Sequence, residues 1–347
     1  MRGAFQIAVL LGLLSSIVGC GGGEGGPRGT STGGSGSGSG GGPGIDPTNR
    51  PTLRTVVYLP TYHGALGTWT RQLAFQNVSY VDLSFADIDA AGNVRYADAG
   101  LPGFVATAHA AGAKVCVAMG GATTIDNGGV FATLLMDANR AAFIDNLVKF
   151  AEDNQLDCLD VDLEGNGVNE FYEAFVTELG ARLNADGREL TAAVAGWFGD
   201  GISDKALSSF AFVNVMAYDL YSSLKEPMQT SSIEAANAEM VKWAARLSKD
   251  RVVYGVPFYG IQWPTGDMAG KVNGQQIAYG ELVRSDPTAA TTDKLEGNGT
   301  VTYLNSRATI QAKALIAKDY GGIMVWEAGQ DATGEASLLK AIRDAVP

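Results

Sequence analysis

The eight residues Asp157-Cys158-Leu159-Asp160-Val161-Asp162-Leu163-Glu164 hold the densest set of chemically useful side chains in this sequence. Successive side chains on an extended strand alternate faces, so Asp160, Asp162 and Glu164 point one way while Leu159, Val161 and Leu163 point the other. Three acids on one face repel one another, and nothing in folding asks for them. The apolar opposite face marks a packed strand, not a solvated loop, so the acids are expected to be aimed into a shared site where one of them can serve as a catalytic acid. The spacing also imitates the start of a calcium loop, with Gly165 following. Position twelve of such a loop is Phe171 instead of a glutamate, and Val161 and Leu163 belong to a buried strand, so that reading is set aside.

The elements needed to position such a strand recur along the chain. Short β-rich runs occupy 53–59, 78–85, 114–119, 156–164, 190–197, 212–218, 252–258 and 322–326, and helical spacing fills 101–111, 131–152, 171–183, 233–247, 310–318 and 336–345. Eight strands alternating with helices predict an α/β fold, a (β/α)8 barrel, in preference to an open nucleotide-binding sheet with a Gly-rich first turn. In such a barrel the chemistry sits at the C-terminal strand ends. Glu164 ends the fourth strand. Tyr62, Asp87, Trp197, Tyr218-Asp219, Tyr259 and Trp326-Glu327 fall at or near the other ends and should converge on one rim. Trp197, Tyr259 and Trp263 each read equally well as core or as aromatics free to stack on a ligand, whereas Trp243 lies on a helical stripe and reads as core.

Composition bounds the function. The chain has 347 residues, 46% hydrophobic and 18% charged, with a net charge of −12. No basic run is present, so nucleic acid is excluded as a partner and a neutral or cationic substrate fits better. Arg2, the apolar stretch Ile7 to Leu14 and the quartet Ile17-Val18-Gly19-Cys20 resemble a bacterial lipoprotein signal, which would leave Cys20 lipidated after cleavage. Gly21 to Gly44 is almost wholly Gly and Ser, a leash with a reach of about 25 to 30 Å. The expected arrangement is therefore a signal peptide at 1–19, a tether at 20–50 and a barrel at 51–347, exported and lipid-anchored at the bacterial cell surface or outer membrane. Cys116 and Cys158 are read as small buried hydrophobes, so that packing alone holds the core. With only His63 and His109, neither a metal centre nor a histidine triad is expected, and no cofactor is called for.

The acid run matches the D-x-x-D-x-D-x-E signature of glycoside hydrolase family 18, the chitinases and endo-β-N-acetylglucosaminidases. Met119-Gly120-Gly121, Met216-Ala217-Tyr218-Asp219, Gly255-Val256-Pro257-Phe258-Tyr259-Gly260 and Gly322-Ile323-Met324-Val325-Trp326 follow in the family's order, and the resemblance covers about residues 53 to 345. It implies that Glu164 is the general acid and that the substrate's own acetamido oxygen is the nucleophile. It further implies that Asp162 orients the acetamide, that Asp160 shares a proton with Asp162, that Tyr218 holds the acetamide oxygen and that Asp219 stands beside the acid. Trp326 would floor the cleavage point, with Tyr58, Met216, Trp197, Tyr259 and Trp263 as further substrate-side candidates. Two positions depart from the family pattern. Ala118 stands where Ser is common, leaving Tyr58 to support Asp160, and Cys158 stands where Gly is usual and fills the barrel floor. The resemblance implies a monomer acting on an N-acetylglucosamine-containing polysaccharide, chitin in preference to the core of N-linked glycans. A binder that has lost catalysis is disfavoured by the retained Glu164. The stretch 261–306, with a strand-like 276–282, is read as a short insertion that leaves a shallow, endo-type cleft.

Overall fold

The computed structural model describes residues 53–220 and 226–347, and the signal, Cys20 and tether readings lie outside the described residues. Eight parallel strands close a barrel: β1 (Thr55–Pro60), β2 (Tyr80–Ser84), β3 (Lys114–Gly121), β4 (Cys158–Leu163), β5 (Glu189–Val194), β6 (Val213–Val215), β7 (Val252–Pro257) and β8 (Ile323–Trp326). Their β-branched, apolar outer faces pack against the surrounding helices. The inner face carries a second, smaller cluster that includes Val56, Tyr80, Phe212, Val253 and Met324.

Register decides what meets inside. Ser84, Ala118, Asp160 and Thr191 lie in one row across β2 to β5. One row lower, Tyr58, Asp82, Cys116 and Cys158 are in register across β1 to β4. The two cysteines are joined as a disulfide with Cα atoms 4.5 Å apart, which corrects their reading as unpaired hydrophobes. Forty-two residues separate them in sequence, and only the pairing of β3 with β4 makes them neighbours.

Among the described residues, serines cap four helices. Ser203, Ser232, Ser306 and Ser337 each accept a backbone N–H from the first turn of Asp204–Ser208, Ile233–Ala244, Arg307–Ala317 and Leu338–Ala345. Each such cap contributes about 1 kcal/mol. The helical stretch expected at 131–152 is two helices, Phe131–Leu134 and Asp137–Asp153, because Met136 is extended (ψ 148°) and serves as the N-cap of the second.

Between β7 and β8 the chain builds an antiparallel sheet from Tyr259–Pro264, Gln275–Ala278, Lys294–Gly297 and Thr300–Tyr303, together with the helix Tyr279–Ser285. The strand-like reading of 276–282 is thus half right. Pairing with Tyr259–Gln262 ends at Ala278, and the chain turns helical from Tyr279.

Candidate active site

β4 positions the acids. Asp160 and Asp162 project into the barrel and are buried, while Glu164, one residue past the strand, stands partly open at the rim. Asp157 lies at the other end of the strand, accepting from the Val115 N–H at 2.8 Å with His109 Nε2 at 2.7 Å, and plays no part at the rim. Gly120 makes room beside Asp162. Its φ is +111°, and a Cβ there would fall 2.3 Å from the Asp162 carbonyl oxygen, a position closed to any side chain. The Glu164 backbone is fixed by Thr124, whose Oγ1 accepts the Glu164 N–H at 2.8 Å.

The acids differ in their donors. Asp160 accepts from Tyr58 Oη at 2.7 Å and from Thr191 Oγ1 at 2.6 Å, and Tyr58 Oη in turn accepts from Asn214 Nδ2 at 3.1 Å. Burial raises Asp160 to about 6, with the bonds from Thr191, Tyr58 and Asn214 holding it down. Asp162 has no such support. Its Oδ1 is buried without a protein partner, and burial together with the charges of Glu164 and Asp160 pushes its pKa well up. Asp160 is therefore the carboxylate best able to carry charge, and Asp162 favours its protonated form. Glu164 rises to about 7, through burial first and the neighbouring Asp219 second.

A further acid belongs to this group. Asp82 on β2 is fully buried, both of its oxygens lack protein partners, and burial plus Asp160 and Asp162 drives its pKa well up. The sequence carried the signal. Tyr80, Asp82 and Ser84 share the inward parity of β2, and an acid at the centre of an apolar strand calls for an explanation.

The remaining candidates separate. Tyr218 lies among the acids, its hydroxyl raised by burial and by Asp162, Asp219, Glu164 and Asp160. Asp219 is on the solvent side of this group. Its Oδ2 accepts from Tyr259 Oη at 2.6 Å, and the bonds from Tyr259 and Thr230 oppose the upward push of the surrounding protein on its pKa. Trp326 is partly exposed beside Tyr58, with ring centroids 5.5 Å apart, and Met216 is likewise partly open. The peptide bonds Ser84–Phe85 and Trp326–Glu327 are cis. Trp197 presents a large open surface, 49% exposed.

Two aromatics offer no such face. Trp263 is 1% exposed, packed against Tyr303 and closely approached by Gly274, so it is core of the inserted sheet and not a stacking platform. Tyr259 is buried and acts through its hydroxyl on Asp219. Asp87 is also displaced from the site, exposed in a small hairpin and paired with Arg95 at 2.8 Å. Glu327 is buried and turned to His63, 2.7 Å from its Nε2, while Tyr62 is exposed on the adjoining turn. Among the described residues no cluster of His, Cys, Asp or Glu is placed to hold a metal ion, and no helix is long and apolar enough to cross a membrane.

The sequence model of the glycosyl hydrolases family 18 matches residues 54–331. Similar solved structures include a GH18 chitinase from the chitin utilization locus of Flavobacterium johnsoniae, 29% identical with a TM-score of 0.75, covering 85% of this chain and 94% of that one. A chitinase from Bacteroides thetaiotaomicron is 22% identical, with a TM-score of 0.68, covering 85% of this chain and 96% of that one. A chitinase-like agglutinin from Robinia pseudoacacia is 20% identical, with a TM-score of 0.71 and coverage of 84% and 98%. No curated protein sequence matches the chain.

Proposed function

This chain belongs to glycosyl hydrolase family 18, and from that premise we propose that it is a retaining chitinase that cleaves β-1,4-linked N-acetylglucosamine polymers with the help of the substrate's acetamide. The observation that carries the reading is the contrast along β4. Asp160 is supplied with donors, Asp162 keeps a buried Oδ1 without a partner, and Glu164 at the rim is held neutral up to about pH 7.

Protonated Glu164 gives its proton to the glycosidic oxygen as the bond to the anomeric carbon breaks. The acetamide oxygen closes onto that carbon from the opposite face, forming an oxazolinium ion. The partnerless Oδ1 of Asp162 suits the acetamide N–H, and as Asp162 yields its proton to Asp160 the carboxylate so formed would steady the cation. Tyr218, buried among these acids, would hold the acetamide oxygen with its hydroxyl. Water then attacks the anomeric carbon, Glu164 recovers a proton from it, and the two inversions leave the configuration retained. Asp219, engaged by Tyr259 and Thr230, is a neighbour of the acid and not a nucleophile.

Similarity to the F. johnsoniae chitinase supports chitin as the substrate. The Robinia agglutinin shows that the fold also exists in a protein named as an agglutinin, and the assembled acids favour catalysis here. For the chain as a whole we propose export and anchoring through a lipid on Cys20, with the barrel working at the end of its Gly/Ser leash.

The test compares colloidal chitin with a high-mannose glycoprotein and follows the fresh product's anomeric configuration by NMR. Chitin oligomers released first as the β-anomer are expected, with deacetylated chitosan inert. Inversion, or efficient cleavage between two deacetylated sugars, would remove acetamide participation. Release of glycan from the glycoprotein alone would move the substrate to N-linked cores.

A further inference from the structure

Lys313, on the helix Arg307–Ala317, is fully buried. A buried ammonium is costly unless its protons find acceptors. Its Nζ lies 2.7 Å from the Ser231 carbonyl oxygen, 2.7 Å from Ser231 Oγ and 2.6 Å from Asn305 Oδ1. Ser231 Oγ spends its one hydrogen on the Ala217 carbonyl at 2.9 Å, so toward Lys313 it can only accept. Burial lowers the Lys313 pKa to about 7, and in its protonated form the lysine donates in all three contacts and uses its full set of ammonium hydrogens. Asn305 Nδ2 closes the ring by donating to the Ser231 carbonyl at 3.1 Å.

The chain on either side of these contacts leads into the active site. Ala217 immediately precedes Tyr218 and Asp219. Thr230, next to Ser231, bonds the Asp219 carboxyl, and its carbonyl accepts the Leu220 N–H at 3.2 Å. Asp219 has φ +52°, a left-handed conformation that a non-glycine residue keeps only when its surroundings hold it there. The strand ladder cannot do so, because β6 ends at Val215. Besides the Tyr259 hydroxyl on its carboxylate, the hold comes from the 229–231 segment, and that segment is fastened to the helix by Lys313 and to the residues just before the helix by Asn305.

We propose that Lys313 is a positioning residue for the hydrolysis assigned above: through Ser231 and Thr230 it fixes the Ala217–Asp219 segment so that Tyr218 and Asp219 stand beside Glu164. The inference rests on that functional reading for its effect on turnover, but not for its effect on the segment itself. A hydrophobic side chain of similar length could fill the volume, but it could not tie the two segments together.

The test uses the full chain with Lys313→Met, Ser231→Ala, Thr230→Val and the Lys313→Met/Thr230→Val pair. Hydrogen exchange followed by mass spectrometry is read on the peptide spanning 213–220, and kcat and KM are measured on chitin oligosaccharides. Each single variant should speed exchange in that peptide while peptides from β2 and β4 stay as in the wild type. Each should also lower kcat by at least about tenfold with KM within about twofold, as expected for a displaced site. The pair should be no worse than the poorer single variant, because both act through one chain of contacts. Unchanged exchange at 213–220 in Lys313→Met overturns the proposal, as does an additive loss of kcat in the pair. Should Lys313→Met fail to fold, Ser231→Ala breaks the same link by deleting one hydroxyl, and unchanged exchange in that variant is equally fatal. A wild type inert toward chitin would count against the functional reading, while the exchange result still decides the role of Lys313.

Discussion

Replacing Glu164 by Gln should cripple turnover and at the same time stabilise the protein, by an amount that grows as pH rises from 4.5 to about 7 and stays constant above. In the folded chain Glu164 is raised from its ordinary 4.5 to about 7, by burial and then by Asp219, so between those values the folded state binds a proton that the unfolded state has released. Stability contributed by the neutral acid is fully present below pH 4.5 and is lost as pH climbs to about 7, when a carboxylate must be kept beside Asp219. A rise of that size corresponds to about 3 kcal/mol, an upper figure because Glu164 is partly open to water at the rim. Gln has the same shape and never ionises, so it escapes the loss. For a barrel of roughly 295 residues the unfolding entropy is about 0.6 kcal/mol per degree, so the difference is worth at most about 5 °C in Tm. Urea midpoints at pH 4.5 and pH 8, with hydrolysis of chitin oligomers in parallel, provide the assay. The two proteins should unfold alike at the lower pH, and the variant should be the more resistant at pH 8, with turnover lower by at least about 10²-fold. Equal midpoints at pH 8 would refute the raised acid, and turnover near wild type would refute its role as proton donor.

Three other outcomes are expected. Asp82→Asn keeps the shape of the neutral acid and never ionises, so in urea it should unfold within about 1 kcal/mol of the wild type at pH 3.8 and lose less stability as pH rises above that value, and a pH dependence equal to that of the wild type would show that Asp82 is not held neutral. Cys116→Ala with Cys158→Ala should lower stability by up to about 4 kcal/mol, the chain-entropy value for a 42-residue separation, and reductant should then have no further effect on the midpoint. Cys20→Ala should release the protein from membrane fractions, and a mature wild-type N-terminus bearing a free residue other than Cys20 would rule the anchor out.

The barrel was legible because its strands are local: each is a short β-branched run, and inward parity follows from counting by two. The acids of β4 were legible for the same reason. What could not be read depends on register between distant segments. Cys116 and Cys158 become partners only when β3 and β4 pair in one particular alignment, and the expectation of two lone hydrophobes fails there. Lys313 looks like any helix lysine until the helix is laid against Ser231 and Asn305. Trp263 and Tyr259 follow a barrel strand, as rim aromatics do, but they enter a second sheet that buries them. Asp82 was readable from its parity and lay hidden in a run that otherwise satisfied a strand pattern.

The inserted sheet bears on how freely this molecule could be rebuilt. Its first strand starts at Tyr259, whose hydroxyl grips Asp219, and Phe258 just before it donates its backbone N–H to the Trp326 carbonyl at 2.7 Å. The insertion is rooted beside the residues to which we assign the chemistry. Grafting a longer or shorter insertion at this junction would therefore not be a modular exchange of one accessory for another. It would remove one of the two clasps on Asp219 and loosen the seat of Trp326, so a chimera with a redesigned wall should change in rate before it changes in specificity, unless Phe258 and Tyr259 are retained as part of the host.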